Sequence, residues 1–139
     1  LYDGEYEYVN HYYGPDRIGQ MNQEEAECAF FLDRQPKIEY WVRNLEQNRR
    51  HGFWLQTASG KFYPDFVCKL HDGRILIVEV KGSHLWEEAK EKRNLGQIWA
   101  ERSDGECLFV MVKDRDTDKI NQLLARETSS LAEGVAEGT

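Results

Sequence analysis

Two charged residues stand where a buried strand is expected. In the stretch Arg74-Ile75-Leu76-Ile77-Val78-Glu79-Val80-Lys81-Gly82, the apolar run reads as a central strand, and Glu79 and Lys81, two apart, project from one face of it. An acid and a base there are costly unless each has a partner or a task. Asp65, after Pro64, opens the preceding strand and supplies a third charge. The turn between the two strands decides whether the charges meet. A two-residue turn at Asp72-Gly73 pairs His71 with Arg74 and sets Asp65 opposite Val80, on the face away from Glu79. A three-residue loop with Gly73 left-handed pairs Leu70 with Arg74 and sets Asp65 opposite Glu79, with Cβ atoms about 5 Å apart. The even separation of 14 residues between Asp65 and Glu79 suits the second register.

Opposed carboxylates repel unless a cation lies between them, and hard oxygen donors suit Mg²⁺ or Mn²⁺. Asp65, Glu79 and the main-chain carbonyl of Val80 are the expected metal ligands. Lys81 is placed to orient a water or to stabilise charge on a phosphate, which makes phosphodiester hydrolysis the natural chemistry. A structural ion pair at a strand end is the alternative for an isolated Glu-x-Lys. The Pro64-Asp65 step across a hairpin turns the balance toward chemistry.

The elements that must position these residues follow from pattern. Residues 1–21 are rich in Tyr and Gly and read as an extended arm whose aromatics pack a surface. Asn22 caps a helix expected over 22–33. Strands are expected over 37–44, 52–57, 65–70 and 74–80, a helix over 84–103, a strand over 107–112 and a helix over 117–127. The tail 128–139 is small, polar and expected to be flexible. A single α/β domain over 22–127 results, with a mixed sheet of about five strands flanked by helices.

Composition narrows the classes. The chain has 139 residues, a formal charge of -7 and 40% hydrophobic residues, and no apolar run of bilayer length. Cys28, Cys68 and Cys107 have no zinc or disulfide spacing, which makes a reducing cytoplasm the expected location. His11, His51, His71 and His84 have no mutual spacing that suggests a relay or a metal cage. The absence of a Walker-type loop assigns any ATP chemistry elsewhere. Leu at position 1 suggests a piece cut from a longer protein. The acidic whole argues against tight independent binding to duplex DNA. The basic residues concentrate between 34 and 81, where Arg43, Arg49, Arg50 and Lys61 could line a DNA groove or simply be solvated.

The sequence Pro-Asp, a hairpin, then Glu-Val-Lys resembles the PD-(D/E)XK nuclease superfamily. The strings NQEEAECAFFLD, WVRNLE, FYPDFVCKLHDGRILIVEVKG and WAERSDGECLFVMV resemble the C-terminal endonuclease region of type III restriction enzyme Res subunits and related DEAD/DEAH-box helicase-like proteins, over roughly residues 11–114. The resemblance implies a restriction-endonuclease-like fold in α-β-β-β-α-β order and a Mg²⁺-dependent endonuclease acting on DNA. It also implies a helicase or ATPase region in the parent chain and a DNA-recognition subunit as partner. In that superfamily a Glu of the first helix often completes the acidic site. Glu25 is the choice here, since Met21, Cys28, Ala29 and Leu32 turn its face inward, with Glu24 the rival. Lys92, on the apolar stripe of the second helix, is a candidate phosphate contact; snorkelling to water competes with that role. The alternatives are a catalytically silent nuclease-fold module that binds DNA or a partner, and a repair or junction nuclease.

Overall fold

The computed structural model describes residues 8–12, 20–44, 53–58 and 60–125. Helix α1 spans Gln23–Asp33. The Asn22 side chain accepts the Glu25 N–H, and the Glu25 carboxylate accepts the Asn22 N–H, a reciprocal capping box that fixes where the helix starts. Strand β1 (Ile38–Arg43) follows, then two very short strands, β2 (Leu55–Gln56) and β3 (Lys61–Phe62), then β4 (Phe66–Leu70) and β5 (Ile75–Lys81). A single 3₁₀ turn at Ser83–Leu85 leads into α2 (Lys90–Glu101), and β6 (Cys107–Lys113) and α3 (Asp118–Leu124) complete the described chain.

The main sheet has four strands in the order β1-β4-β5-β6, antiparallel except for the β5–β6 pair. The mixed α/β architecture agrees with the expectation; the count of about five strands does not. The segment expected as a strand over 52–57 never joins the sheet. Its Leu55–Gln56 pairs with Lys61–Phe62 as a separate two-stranded ribbon. The reason is local: the Thr57 N–H and hydroxyl both donate to the Gly60 carbonyl, and Gly60 adopts φ +147°. Closing a reversal of so few residues costs less chain entropy than reaching a distant strand.

The second helix is also shorter than expected. Residues 83–89 run as a 3₁₀ turn and further turns, because no side chain caps a helix start there and the Ser83 N–H is taken by the Asp114 carboxylate at 2.8 Å. The third helix ends at Leu124. Residues 126–127 and the tail 128–139 lie outside the described residues, as do His51, Arg49 and Arg50.

The described part of the N-terminal arm is docked rather than free-standing. Trp41 donates its N–H to the Asn10 carbonyl, and Tyr12 donates to that of Trp41, so residues 10–12 run beside β1 at the sheet edge. Tyr8 packs edge-on against Trp41, with ring centroids 5.4 Å apart.

Two apolar layers hold the sheet. Phe66, Cys68, Leu76, Val78, Val80 and Val112 face α1 and α3, while Ile77, Phe109 and Met111 face α2. Gly96 lets α2 approach closely, because a Cβ there would lie 2.5 Å from the Phe109 ring. Among the described residues no helix is long and apolar enough to cross a membrane.

Candidate metal-binding active site

The β4–β5 hairpin sets the site. Leu70 donates to the Arg74 carbonyl at 2.9 Å, Gly73 donates to the Leu70 carbonyl at 3.0 Å, and Gly73 has φ +96°. This is the three-residue loop, so Phe66 pairs with Val78 and, one step further, Asp65 lies opposite Glu79. The side chains then interlock with the facing backbone. Glu79 Oε1 accepts the Asp65 N–H at 2.9 Å, and Asp65 Oδ2 accepts the Val80 N–H at 2.8 Å. Lys81 Nζ stands 3.4 Å from Glu79 Oε2.

Glu79 is 4% exposed. Burial raises its pKa well above the carboxylate range, and the nearby Asp65 raises it further, against the smaller pull of Lys81. Asp65 is raised as well, chiefly by burial, with the Val80 N–H opposing. Two acids this near and this buried resist ionising together. A cleft of about 370 Å³ opens onto them, lined by Val80, Lys81, Gly82 and His84 from the strand end and by Asn22 to Glu25 from the start of α1.

The two rival glutamates of α1 have different surroundings. Glu25 lines the cleft, but its Oε1 closes the capping box and its Oε2 lies 3.3 Å from Arg43 Nη2. The expectation that it turns to the carboxylate pair therefore meets competing partners. Glu24 has neither a hydrogen bond nor an ion pair among the described residues, and its Oε2 lies 3.7 Å from where a Gly82 Cβ would sit.

Arg43, expected either to line a DNA groove or to be solvated, is instead drawn inward. Its side chain is 9% exposed, its guanidinium lies 5.6 Å from the Phe66 ring centroid, and its buried Nε has no hydrogen-bond partner among the described residues. Lys61 sits on the ribbon, with Nζ 4.5 Å from the Trp54 centroid. Lys92 is close to the chemistry: a second cleft of about 220 Å³ is lined by Lys81, Leu85, Glu88, Ala89 and Lys92, sharing Lys81 and Leu85 with the first. Its Nζ lies 5.1 Å from the Phe62 centroid.

Sequence reasoning passed over His84, which lines the cleft three residues beyond Lys81. Only its position just after the charged strand pointed to it. His11 is 5% exposed and accepts the Arg43 N–H at its Nε2. Cys28 and Cys68 are buried, with thiols pushed up by burial, and serve packing.

Among the described residues no three His, Cys, Asp or Glu side chains converge as a ready-made metal cage. The donor set nevertheless fits a hard divalent ion of the Mg²⁺ kind. Such ions commonly take one or two protein carboxylates and complete their shell with water and substrate oxygens. Two buried carboxylates with raised pKa values are also the arrangement that a cation would relieve. Comparison with protein-family models, with curated proteins and with solved structures finds no match for the chain.

Proposed function

We propose that the chain is a Mg²⁺-dependent endonuclease domain acting on DNA, of the PD-(D/E)XK kind and with the restriction-endonuclease-like fold. We propose further that it works as the nuclease part of a restriction or helicase-like protein. The observation that carries this reading is the opposition of Asp65 and Glu79 beside Lys81 at the mouth of an open cleft. The element order, with helices on both faces of a sheet whose central hairpin carries the charges, supports the fold assignment.

Asp65, Glu79 and the Val80 carbonyl would hold the ion. When bound, it supplies Lewis acidity toward a phosphoryl oxygen and toward water. The chain's own groups do the rest. The Val80 and Asp65 N–H groups fix the orientation of both carboxylates. Lys81, 22% exposed at its side chain, keeps its ammonium at the cleft, where it orients the attacking water and offsets charge developing on the phosphate. The buried setting strengthens each of these interactions.

The test is nicking of supercoiled plasmid by the purified chain with Mg²⁺, with Mn²⁺ and with EDTA. Cleavage is expected only with metal. Lys81→Ala abolishes cleavage while leaving calorimetric Mn²⁺ affinity within a few-fold, whereas Asp65→Asn and Glu79→Gln lose both. Cleavage that persists in EDTA, or survives in the acid variants, rejects the assignment.

A further inference from the structure

Trp86 follows the 3₁₀ turn directly after β5 and gathers three cations. The Arg93 guanidinium carbon lies 4.3 Å from its ring centroid, Lys113 Nζ 5.5 Å and Lys119 Nζ 5.9 Å. The three come from different elements, α2, the end of β6 and α3. Three like charges within 6 Å of one ring centroid repel one another, and the indole offsets only part of that. A structural cluster would carry acids to balance it.

Among the described residues none of the three has an ion pair, although the chain holds Asp+Glu 25 against Lys+Arg 18. Among the described residues the only side-chain hydrogen bond in the group runs from Arg93 to the neutral Trp86 carbonyl. Asp114, the acid next to Lys113, accepts the Ser83 N–H and makes no ion pair with the three cations. Three cations on one ring, without an acid paired to any of them among the described residues, suit an anionic ligand.

Its position says which anion. Lys113 is the register partner of Lys81 in the parallel β5–β6 pair. The two therefore stand side by side on one face, about 4.8 Å apart at the backbone. The cluster begins one strand away from the Asp65–Glu79 pair, and a linear polyanion lying in the cleft would reach it.

We propose that Arg93, Lys113 and Lys119, gathered on Trp86, grip the phosphodiester backbone of the DNA strand immediately beside the bond positioned at Asp65, Glu79 and Lys81. This rests on the nuclease reading for the strand's identity, and it names a substrate contact which that reading did not contain. Both lysines are exposed, so removing them leaves the fold intact.

The test is fluorescence anisotropy of a labelled single-stranded DNA oligonucleotide with the whole chain in EDTA, where no cutting intrudes, across a salt series. In the Lys113→Ala/Lys119→Ala variant the log–log salt slope becomes shallower by about 1.4, about 0.7 for each lost contact. The ratio of affinities between about 50 and about 200 mM salt then shrinks about sevenfold. Lys69→Ala/Arg102→Ala removes the same charge at the other end of the sheet and keeps the wild-type slope.

Equal slopes in wild type and the first variant overturn the proposal, as does an equal loss in both double variants, which would report net charge alone. Preferential binding of polyglutamate at the same lysines also overturns it, in favour of an acidic protein partner. A slope change without any Mg²⁺-dependent nicking supports the strand contact and rejects only the nuclease reading.

Discussion

Asp33 and Glu79 are buried to nearly the same degree, 5% and 4% exposed, and their surroundings are opposite. Asp33 ends α1, where the helix dipole disfavours an anion. Among the described residues its carboxylate is nevertheless met by three donors: the Val9 N–H at 2.9 Å, the Asn10 N–H at 2.7 Å and the Trp41 indole N–H at 2.9 Å. Those bonds tie the docked arm and β1 to the helix. Glu79 faces another carboxylate and takes one backbone donor and a lysine at 3.4 Å. A buried charge surrounded by donors is architecture. One that faces a like charge at the end of a cleft is an arrangement the fold alone does not need.

The difference can be broken by mutation. Asp33→Ala strands the buried Trp41 indole N–H and two part-buried backbone N–H groups and should cost about 2–4 kcal/mol, by the usual penalty for leaving such donors unpaired. Glu79→Gln keeps the shape and removes the repulsion, so it should leave stability within about 1 kcal/mol of wild type, or raise it, while cleavage is lost. Urea unfolding of the two variants makes the comparison. An Asp33-sized loss in Glu79→Gln would make Glu79 a structural residue.

A smaller effect should appear in pH dependence. The folded-state pKa values of Asp65 and Glu79 are raised, so from about pH 4 upward the folded chain holds protons that the unfolded chain has released. Their contribution to stability is complete below that pH and is lost as pH rises through the raised values. The wild-type melting temperature should therefore fall relative to that of an Asp65→Asn/Glu79→Gln variant as pH climbs toward 8. Mn²⁺ should restore the wild type, more at pH 8 than at pH 5.5, because the ligands must be ionised to bind. A metal-induced shift that is the same in the double variant would place the ion elsewhere.

What could be read in the sequence follows the range of the interaction. The hairpin register was legible because parity and a single glycine decide it, and the Asn22 cap because its partner, Glu25, is three residues away. The ribbon was not: GFWLQT has the composition of a sheet strand, and only the turn ending at Gly60 decides that it pairs locally. The role of Asp33 was illegible for the opposite reason, since two of its donors lie 23 and 24 residues back in a stretch without periodicity. Arg43 was read as a groove-lining or solvated cation because sequence does not show that Glu25 and Phe66 would meet it.

The smallest effect sharpens the same comparison between neighbours. Glu24 and Glu25 stand in one turn of α1 and both line the cleft. Glu25 belongs with Asp33: a cap N–H at 2.9 Å and Arg43 at 3.3 Å hold it, and without it the buried guanidinium loses its acid. Glu25→Ala should therefore cost about 1–2 kcal/mol, the range of a lost cap with an added charge partner. Glu24 belongs with Glu79, since its carboxylate reaches toward Gly82 without a protein partner among the described residues. Glu24→Ala should leave stability within about 0.5 kcal/mol, as surface changes usually do, yet weaken Mn²⁺ binding about tenfold, the lower end for outer-shell groups of metal sites. Calorimetric Mn²⁺ titration beside urea melts of each variant separates them. If Glu25→Ala loses the metal and Glu24→Ala does not, the cap and the Arg43 pair are a resting arrangement that Glu25 leaves on metal binding, and the division between structural and chemical acids fails at this helix.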